Sequence, residues 1–91
     1  MSKWLQSGTR RDLCALLYGE ELRGQELKSA IESHYDGRLR PDRFYGAMEK
    51  LERAGYVEER TEGLHDVYAL TDAGERAMAD HFEWLTGQVE E

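Results

Sequence analysis

The arginines around residue 40 are the side chains best suited to binding a negatively charged partner. Arg38, Arg40 and Arg43 flank Pro41, and a proline in this setting is typical of the first turn of a helix. The planar guanidinium group can bind guanine O6 and N7 together. We therefore expect Arg43 to read a base edge, and Arg38 and Arg40 to contact phosphates, which position a protein without reading sequence.

The helix that would present Arg43 is predicted from the spacing of apolar residues. Phe44, Met48 and Leu51 recur on one helical face, and Gly55 follows where a left-handed cap would end the helix. The opposite face is expected to carry Asp42, Arg43, Gly46 and Lys50. Because Gly46 has no side chain, the helix could approach a DNA groove closely there. A solvent-exposed pair between Arg43 and Asp42 or Glu49 is the alternative role of this arginine.

A small hairpin is predicted after this helix. Tyr56–Arg60 and Asp66–Leu70 have strand composition, Thr61–His65 is expected to turn between them, and Thr71 can cap a further helix. A helix followed by a hairpin indicates a mainly α (α+β) winged helix-turn-helix, in which the helix enters a DNA groove and the wing meets flanking backbone. The candidate wing contacts are Arg60, Thr61 and His65. Four neighbouring carboxylates would repel phosphate: Glu58, Glu59, Glu62 and Asp66.

The remaining elements complete a three-helix core. A first helix is expected from Ser7 or Thr9 to about Tyr18, a short strand at Leu22–Arg23, and a second helix from Gly24 to His34–Tyr35. Gln25, at the start of that second helix, is a candidate phosphate contact. We divide the chain into a leader (1–8), a DNA-binding domain (9–70) and a C-terminal dimerisation helix (71–91).

The final helix carries more large apolar residues than one small domain can cover. A two-fold dimer through this helix would bury them. The expected interface residues are Trp4, Leu5, Met78, His81, Phe82, Trp84 and Leu85. The alternative is that the helix folds back on the first helix of its own chain.

Charge is unevenly distributed along the 91 residues. The net charge is −7, but residues 1–45 hold 8 basic and 7 acidic side chains, whereas residues 46–91 hold 4 basic and 12 acidic ones. Only 3 of the 12 basic residues are lysine. An acidic, lysine-poor surface is typical of adaptation to molar salt, where a Debye length of ~3 Å weakens repulsion of DNA. The alternative is an ordinary acidic protein that binds no nucleic acid.

Several function classes are disfavoured by the sequence. It contains no apolar run of membrane-spanning length and no signal-peptide pattern, so we expect a cytoplasmic protein. Cys14 is the single cysteine and is expected to be a small buried hydrophobe. His34, His65 and His81 lack metal-ligand spacing, and no nucleophile–base arrangement or phosphate-binding glycine loop is present. We expect no metal, cofactor or enzymatic activity.

Three segments resemble PadR-type transcriptional regulators. Residues 44–57 (FYGAMEKLERAGYV) resemble the third helix and following strand of that family, Tyr68–Gly74 the end of its wing, and Gly24–Leu27 the start of its second helix. The resemblance implies that Tyr45 lies at the edge of the DNA surface. Two departures are the Arg- and Gly-rich turn at 36–40 and a final helix of only about 18 residues, where larger members have a longer region for dimerisation and effector binding. An effector is therefore left open.

Together these features predict a dimeric regulator, most simply a repressor, on a pseudo-palindromic operator. Each subunit would place its third helix in one major groove. The alternative is a winged-helix protein-interaction module that does not bind DNA directly. A continuous patch of Arg38, Arg40 and Arg43 on both subunits would favour DNA, whereas glutamates interrupting it would favour the interaction module.

Overall fold

The computed structural model describes residues 8–90 and contains the predicted elements in the predicted order. The helices are α1 (Gly8–Leu17), α2 (Gly24–Tyr35), α3 (Pro41–Arg53) and α4 (Asp72–Glu90). The strands are β1 (Leu22–Arg23), β2 (Val57–Glu62) and β3 (His65–Leu70). This is the winged helix-turn-helix expected from the sequence, with a C-terminal helix added.

The core forms where one apolar stripe from each of the first three helices meets the sheet. Phe44, Met48 and Leu51 of α3 are at most 1% exposed, which confirms the predicted inner face. They pack with Leu13 and Leu17 of α1, Leu27 and Ile31 of α2, and strand residues of the hairpin. Cys14 lies in the same cluster, and burial raises the pKa of its thiol to about 12, as suits a buried hydrophobe.

The ends of α2 and α3 are set by local backbone chemistry. The N–H of Arg23 donates to Glu26 Oε1 (2.9 Å) where α2 begins. At its other end Asp36 adopts a left-handed conformation (φ 54°), and the N–H of Gly37 donates to the Glu32 carbonyl (3.1 Å). This is the Schellman arrangement, which satisfies carbonyls at a helix C-terminus. Gly55, with φ 83°, follows α3 as predicted.

The three strands form an antiparallel sheet in the order β1-β3-β2. The prediction of a five-residue turn at Thr61–His65 was wrong, because Glu62 pairs with His65 and only Gly63 and Leu64 lie between the strands. Gly63 has φ 62°, and glycine at the first central position permits such a two-residue turn. Thr61 and His65 are therefore strand residues.

Helix α4 is joined tightly to the corner between α3 and β2. Thr71 caps it as predicted, since its Oγ1 accepts the N–H of Gly74 (3.1 Å) and donates to the Gly55 carbonyl (2.6 Å). The Thr71 N–H also donates to the Tyr56 carbonyl (3.0 Å). Gly74 packs so closely that a Cβ there would lie 2.0 Å from the Tyr56 carbonyl oxygen. Only glycine allows this approach of two backbones.

Candidate nucleic-acid interface

The outer face of α3 is polar and accessible. Arg43 and Lys50 are exposed on the side opposite Phe44, and a Cβ added at Gly46 would meet no atom within 4 Å. Nothing in the described chain therefore separates this helix face from a partner that lies along it.

Tyr45 and Gln25, separated by twenty positions, are brought to one edge of this face. The Tyr45 side chain is 48% exposed. Its hydroxyl would lie 3.9 Å from a Cβ at Gly24, so it sits beside the first turn of α2, which also holds the exposed Gln25. Free N–H groups at a helix start favour an anion. A phosphate at this edge would meet an amide and a phenol beside the first turn of α2, where the Glu26 carboxylate accepts the Arg23 N–H.

The turn between α2 and α3, which precedes Arg43 in the chain, carries two further arginines. Arg38 and Arg40 are exposed. Arg40 Nε lies 3.3 Å from Asp42 Oδ1, but both side chains are more than 70% exposed, and such surface pairs contribute little stability. Arg40 can therefore exchange Asp42 for a phosphate at small cost. From residue 38 to residue 50 the chain has four basic and two acidic side chains, although its net charge is −7.

The arginine of the wing, unlike those of the turn between α2 and α3, is bonded to two carboxylates. The Arg60 guanidinium donates to Glu21 Oε2 (2.7 Å) and to Glu62 Oε2 (3.0 Å). These two carboxylates, Glu21 first, raise the pKa of Arg60 above its already high value. Glu62 is a neighbour in the sequence, but Glu21 comes from the loop before β1 and was not foreseen as a partner. Thr61 and His65 are exposed on the two paired strands.

Negative charge also accumulates where the second half of α3 faces the wing. The pKa of Glu52 is raised, mainly by partial burial and then by the nearby carboxylates of Glu59, Glu49 and Asp66. The basic side chains of this surface are thus those of the preceding turn and of the outer face of α3, Arg43 and Lys50, whereas the part of α3 that faces the wing is acidic.

The predicted dimer residues of α4 divide into two groups. Met78 is only 7% exposed and belongs to the core of its own chain, because α4 packs against the hairpin and α1 at this point. Met78 therefore packs in the core of its own chain and not in the predicted dimer interface. Phe82, Trp84 and Leu85 are 68%, 50% and 45% exposed. Trp4 and Leu5 lie outside the described residues.

A groove of about 420 Å³ runs between α1 and α4. Tyr18, Phe82 and Leu85 line it, together with His81, whose ring stacks on Trp84 with 6.0 Å between centroids. Within residues 8–90, His81 Nδ1 is buried and has no hydrogen-bond partner. The first half of α4 thus folds back on its own chain, while the second half presents uncovered apolar surface.

Residues 8–90 contain no group of three His, Cys, Asp or Glu side chains that could hold a metal ion. None of their helices is long and apolar enough to cross a membrane.

Solved structures of regulators share this architecture. H. salinarum RosR is 25% identical, with a TM-score of 0.85 over 90% of this chain and 76% of that one. Bacillus subtilis PadR in complex with operator DNA is 23% identical, with a TM-score of 0.69 over 84% of this chain and 47% of that one. A third structure is the homodimeric winged helix-turn-helix DNA-binding domain of a possible ArsR-family regulator from Mycobacterium bovis. It is 21% identical, with a TM-score of 0.81 over 97% of this chain and 77% of that one.

The sequence itself carries the family assignment. No curated protein matches it significantly. Residues 13–80, however, match the model of the transcriptional regulator PadR-like family. That span runs from α1 into α4 and includes the whole helix-turn-helix and wing. The chain therefore belongs to the PadR-like family of transcriptional regulators.

Proposed function

We propose that this chain is a cytoplasmic, homodimeric repressor that binds a pseudo-palindromic operator with α3 in the major groove. One observation carries the proposal: the exposed face of α3 presents Arg43, Gly46 and Lys50 beside an arginine-bearing turn, in a chain that is acidic elsewhere. The fold shared with B. subtilis PadR, which was solved with operator DNA, supports it. Occupation of a promoter by such a dimer would block transcription directly.

Each candidate residue has a distinct role in this proposal. Arg43 reads guanine through its planar fork, and Asp42 can accept from cytosine N4. Arg38, Arg40 and Lys50 neutralise phosphates, and each such contact releases counterions. Tyr45 and Gln25 hold a phosphate at the start of α2. Gly46 keeps the distance between helix and groove short.

In this proposal the wing contributes less to DNA affinity than a wing whose cationic side chains have no carboxylate partners. Arg60 already has two carboxylate partners, and transferring it to a phosphate would leave Glu21 and Glu62 near the DNA. Thr61 and His65 remain as its accessible polar contacts. At molar salt, screening over ~3 Å weakens the repulsion between the acidic wing and the DNA.

We assign dimerisation to the second half of α4. Phe82, Trp84 and Leu85 form its exposed apolar surface, and His81 lies among them. Trp4 and Leu5, which lie outside the described residues, are proposed members of the same interface. In this division, residues 9–70 bind DNA and residues 71–91 join the two subunits. The homodimeric M. bovis domain of the same fold supports this assembly.

The test is fluorescence anisotropy in molar KCl with the upstream region of the gene and a scrambled duplex. Arg43→Ala should weaken operator binding about tenfold or more, the effect of a lost bidentate base contact. Arg76→Ala removes the same charge from exposed α4 and should leave affinity nearly unchanged. Titration should end at two chains per operator. Equal binding of both duplexes, insensitive to Arg43→Ala, would refute the proposal for that operator.

A protein-interaction module is the second candidate, favoured by the carboxylates paired with Arg40 and Arg60. Such a module would use the acidic second half of the chain to bind a basic partner. It would show weak binding that does not distinguish the two duplexes. Selective operator binding that depends on Arg43 would exclude it as the main function.

A further inference from the structure

Glu32 is a carboxylate of α2 that makes one contact which helix formation does not explain. Its Oε2 accepts the backbone N–H of Leu39 (2.8 Å), seven residues further along the chain. The same oxygen accepts from Lys28 Nζ (2.9 Å), one helical turn earlier. These two bonds, the Leu39 bond first, lower the pKa of Glu32. The side chain is only 23% exposed, so water competes weakly for these bonds.

The backbone of Glu32 binds the same turn at its other end. The Glu32 carbonyl accepts the N–H of Gly37 (3.1 Å), so one residue holds the turn at positions 37 and 39. The side chain of Leu39 packs against the core. Directly afterwards, the Arg40 carbonyl accepts the N–H of Phe44 (3.0 Å) and α3 begins. The entry of α3 is therefore fixed by contacts that converge on Glu32.

We infer that Glu32 is a positioning residue for DNA recognition, whose carboxylate fixes the turn at 36–40 and thereby the placement of Arg38, Arg40 and the first turn of α3. This inference rests on the proposed function, because it assigns a role within the same DNA-binding surface. Glu32 itself touches no DNA in this scheme; it acts through the Leu39 amide.

The negative charge of Glu32 and its proposed positioning role predict different effects on DNA binding. A carboxylate close to Arg38 opposes phosphate binding by simple electrostatics. If charge were its only influence, every substitution that removes the charge would tighten DNA binding equally. A positioning role predicts instead that the outcome depends on whether the new side chain still accepts the Leu39 N–H.

Three variants separate the ability of side chain 32 to accept the Leu39 N–H from its negative charge. Glu32→Gln keeps an acceptor oxygen at the same distance without the charge. Glu32→Ala removes charge and acceptor, and Glu32→Asp keeps the charge but is one methylene too short. Lys28→Gln is the control, because it removes the ion pair and leaves the Leu39 bond. Each variant is measured by amide hydrogen exchange of the free protein and by operator and scrambled-duplex affinity in molar KCl.

We expect Glu32→Ala and Glu32→Asp to speed exchange of the Leu39 amide about tenfold, the effect of one lost hydrogen bond to a charged group. The Met48 and Leu51 amides should stay protected, which shows that the core of α3 is intact. Operator affinity should be about fivefold weaker for Glu32→Ala than for Glu32→Gln, although both lose one negative charge. Lys28→Gln should retain Leu39 protection.

Equal operator affinity of Glu32→Ala and Glu32→Gln would overturn the inference, as would unchanged Leu39 exchange in Glu32→Ala. Both results presuppose a wild-type chain that selects the operator. Wild-type protein that binds both duplexes equally would refute the proposed function instead. In that case the exchange data would still show whether Glu32 holds the turn, but its role in recognition would be excluded.

Discussion

Gly74→Ala tests whether the wing and α4 are held by a backbone contact that only glycine permits. The added Cβ would lie 2.0 Å from the Tyr56 carbonyl oxygen, 3.0 Å from its carbon and 3.2 Å from Leu70 Cδ2. Cβ atoms essentially never approach other heavy atoms within 3.0 Å. The first turn of α4 must therefore move away from Tyr56 by about 1 Å.

The size of the effect follows from the contacts that this movement disturbs. The hydrogen bonds from Thr71 N to Tyr56 O and from Thr71 Oγ1 to Gly55 O contribute about 1 kcal/mol each. Loosened packing of Leu70 and Met78 adds about 1–2 kcal/mol. Alanine improves helix propensity by about 1 kcal/mol. We expect a net loss of about 2–3 kcal/mol, a large part of the roughly 5–14 kcal/mol typical for 91 residues.

Urea unfolding in molar KCl, followed by circular dichroism, measures this loss. Gly87→Ala is the matched control, since it lies in the same helix and a Cβ there meets nothing within 4 Å. It should raise the free energy of unfolding by up to about 1 kcal/mol. If Gly74→Ala were as stable as Gly87→Ala, the close backbone approach would not exist in solution and the reasoning would fail.

Three further predictions concern α3 and the wing. Gly46→Ala should stabilise the fold by about 1 kcal/mol yet weaken operator binding, because its Cβ faces open space on the DNA side; equal or tighter binding would contradict this. Arg60→Gln should change operator affinity less than twofold, far less than Arg43→Ala, because the Arg60 guanidinium is already bonded to Glu21 and Glu62. A loss of affinity equal to that of Arg43→Ala would show that Arg60 leaves these carboxylates to bind DNA. The pKa of Glu52 is raised, so ionising this carboxylate disfavours the folded state. Glu52→Gln should therefore raise the urea midpoint at pH 7, and the gain should vanish as pH falls below the ordinary carboxyl pKa; a midpoint lowered at pH 7 would refute this.

Local signals in the sequence were sufficient to predict the elements and the inner face of α3. Pro41 and Gly55 bound that helix, and Phe44, Met48 and Leu51 recur at helical spacing. Thr71 has a capping side chain, and its bond to Gly74 spans only three residues. Such features depend on backbone preferences and on neighbours within one or two turns, so the order of residues alone determines them. The exposed position of Arg43 follows from the same periodicity.

Contacts between residues far apart in the chain were decided only by the tertiary structure. The pairing of Arg60 with Glu21 spans 39 positions, and burial of Met78 requires α4 to pack against the core. The Glu32–Leu39 bond depends on the exact path of a turn, and the strand register replaced a predicted five-residue loop by Gly63 and Leu64. Composition showed that the wing was acidic but not which carboxylates reach its arginine. Charge and hydrogen-bond partners are set by distances of a few ångströms, and those distances exist only once the chain has folded.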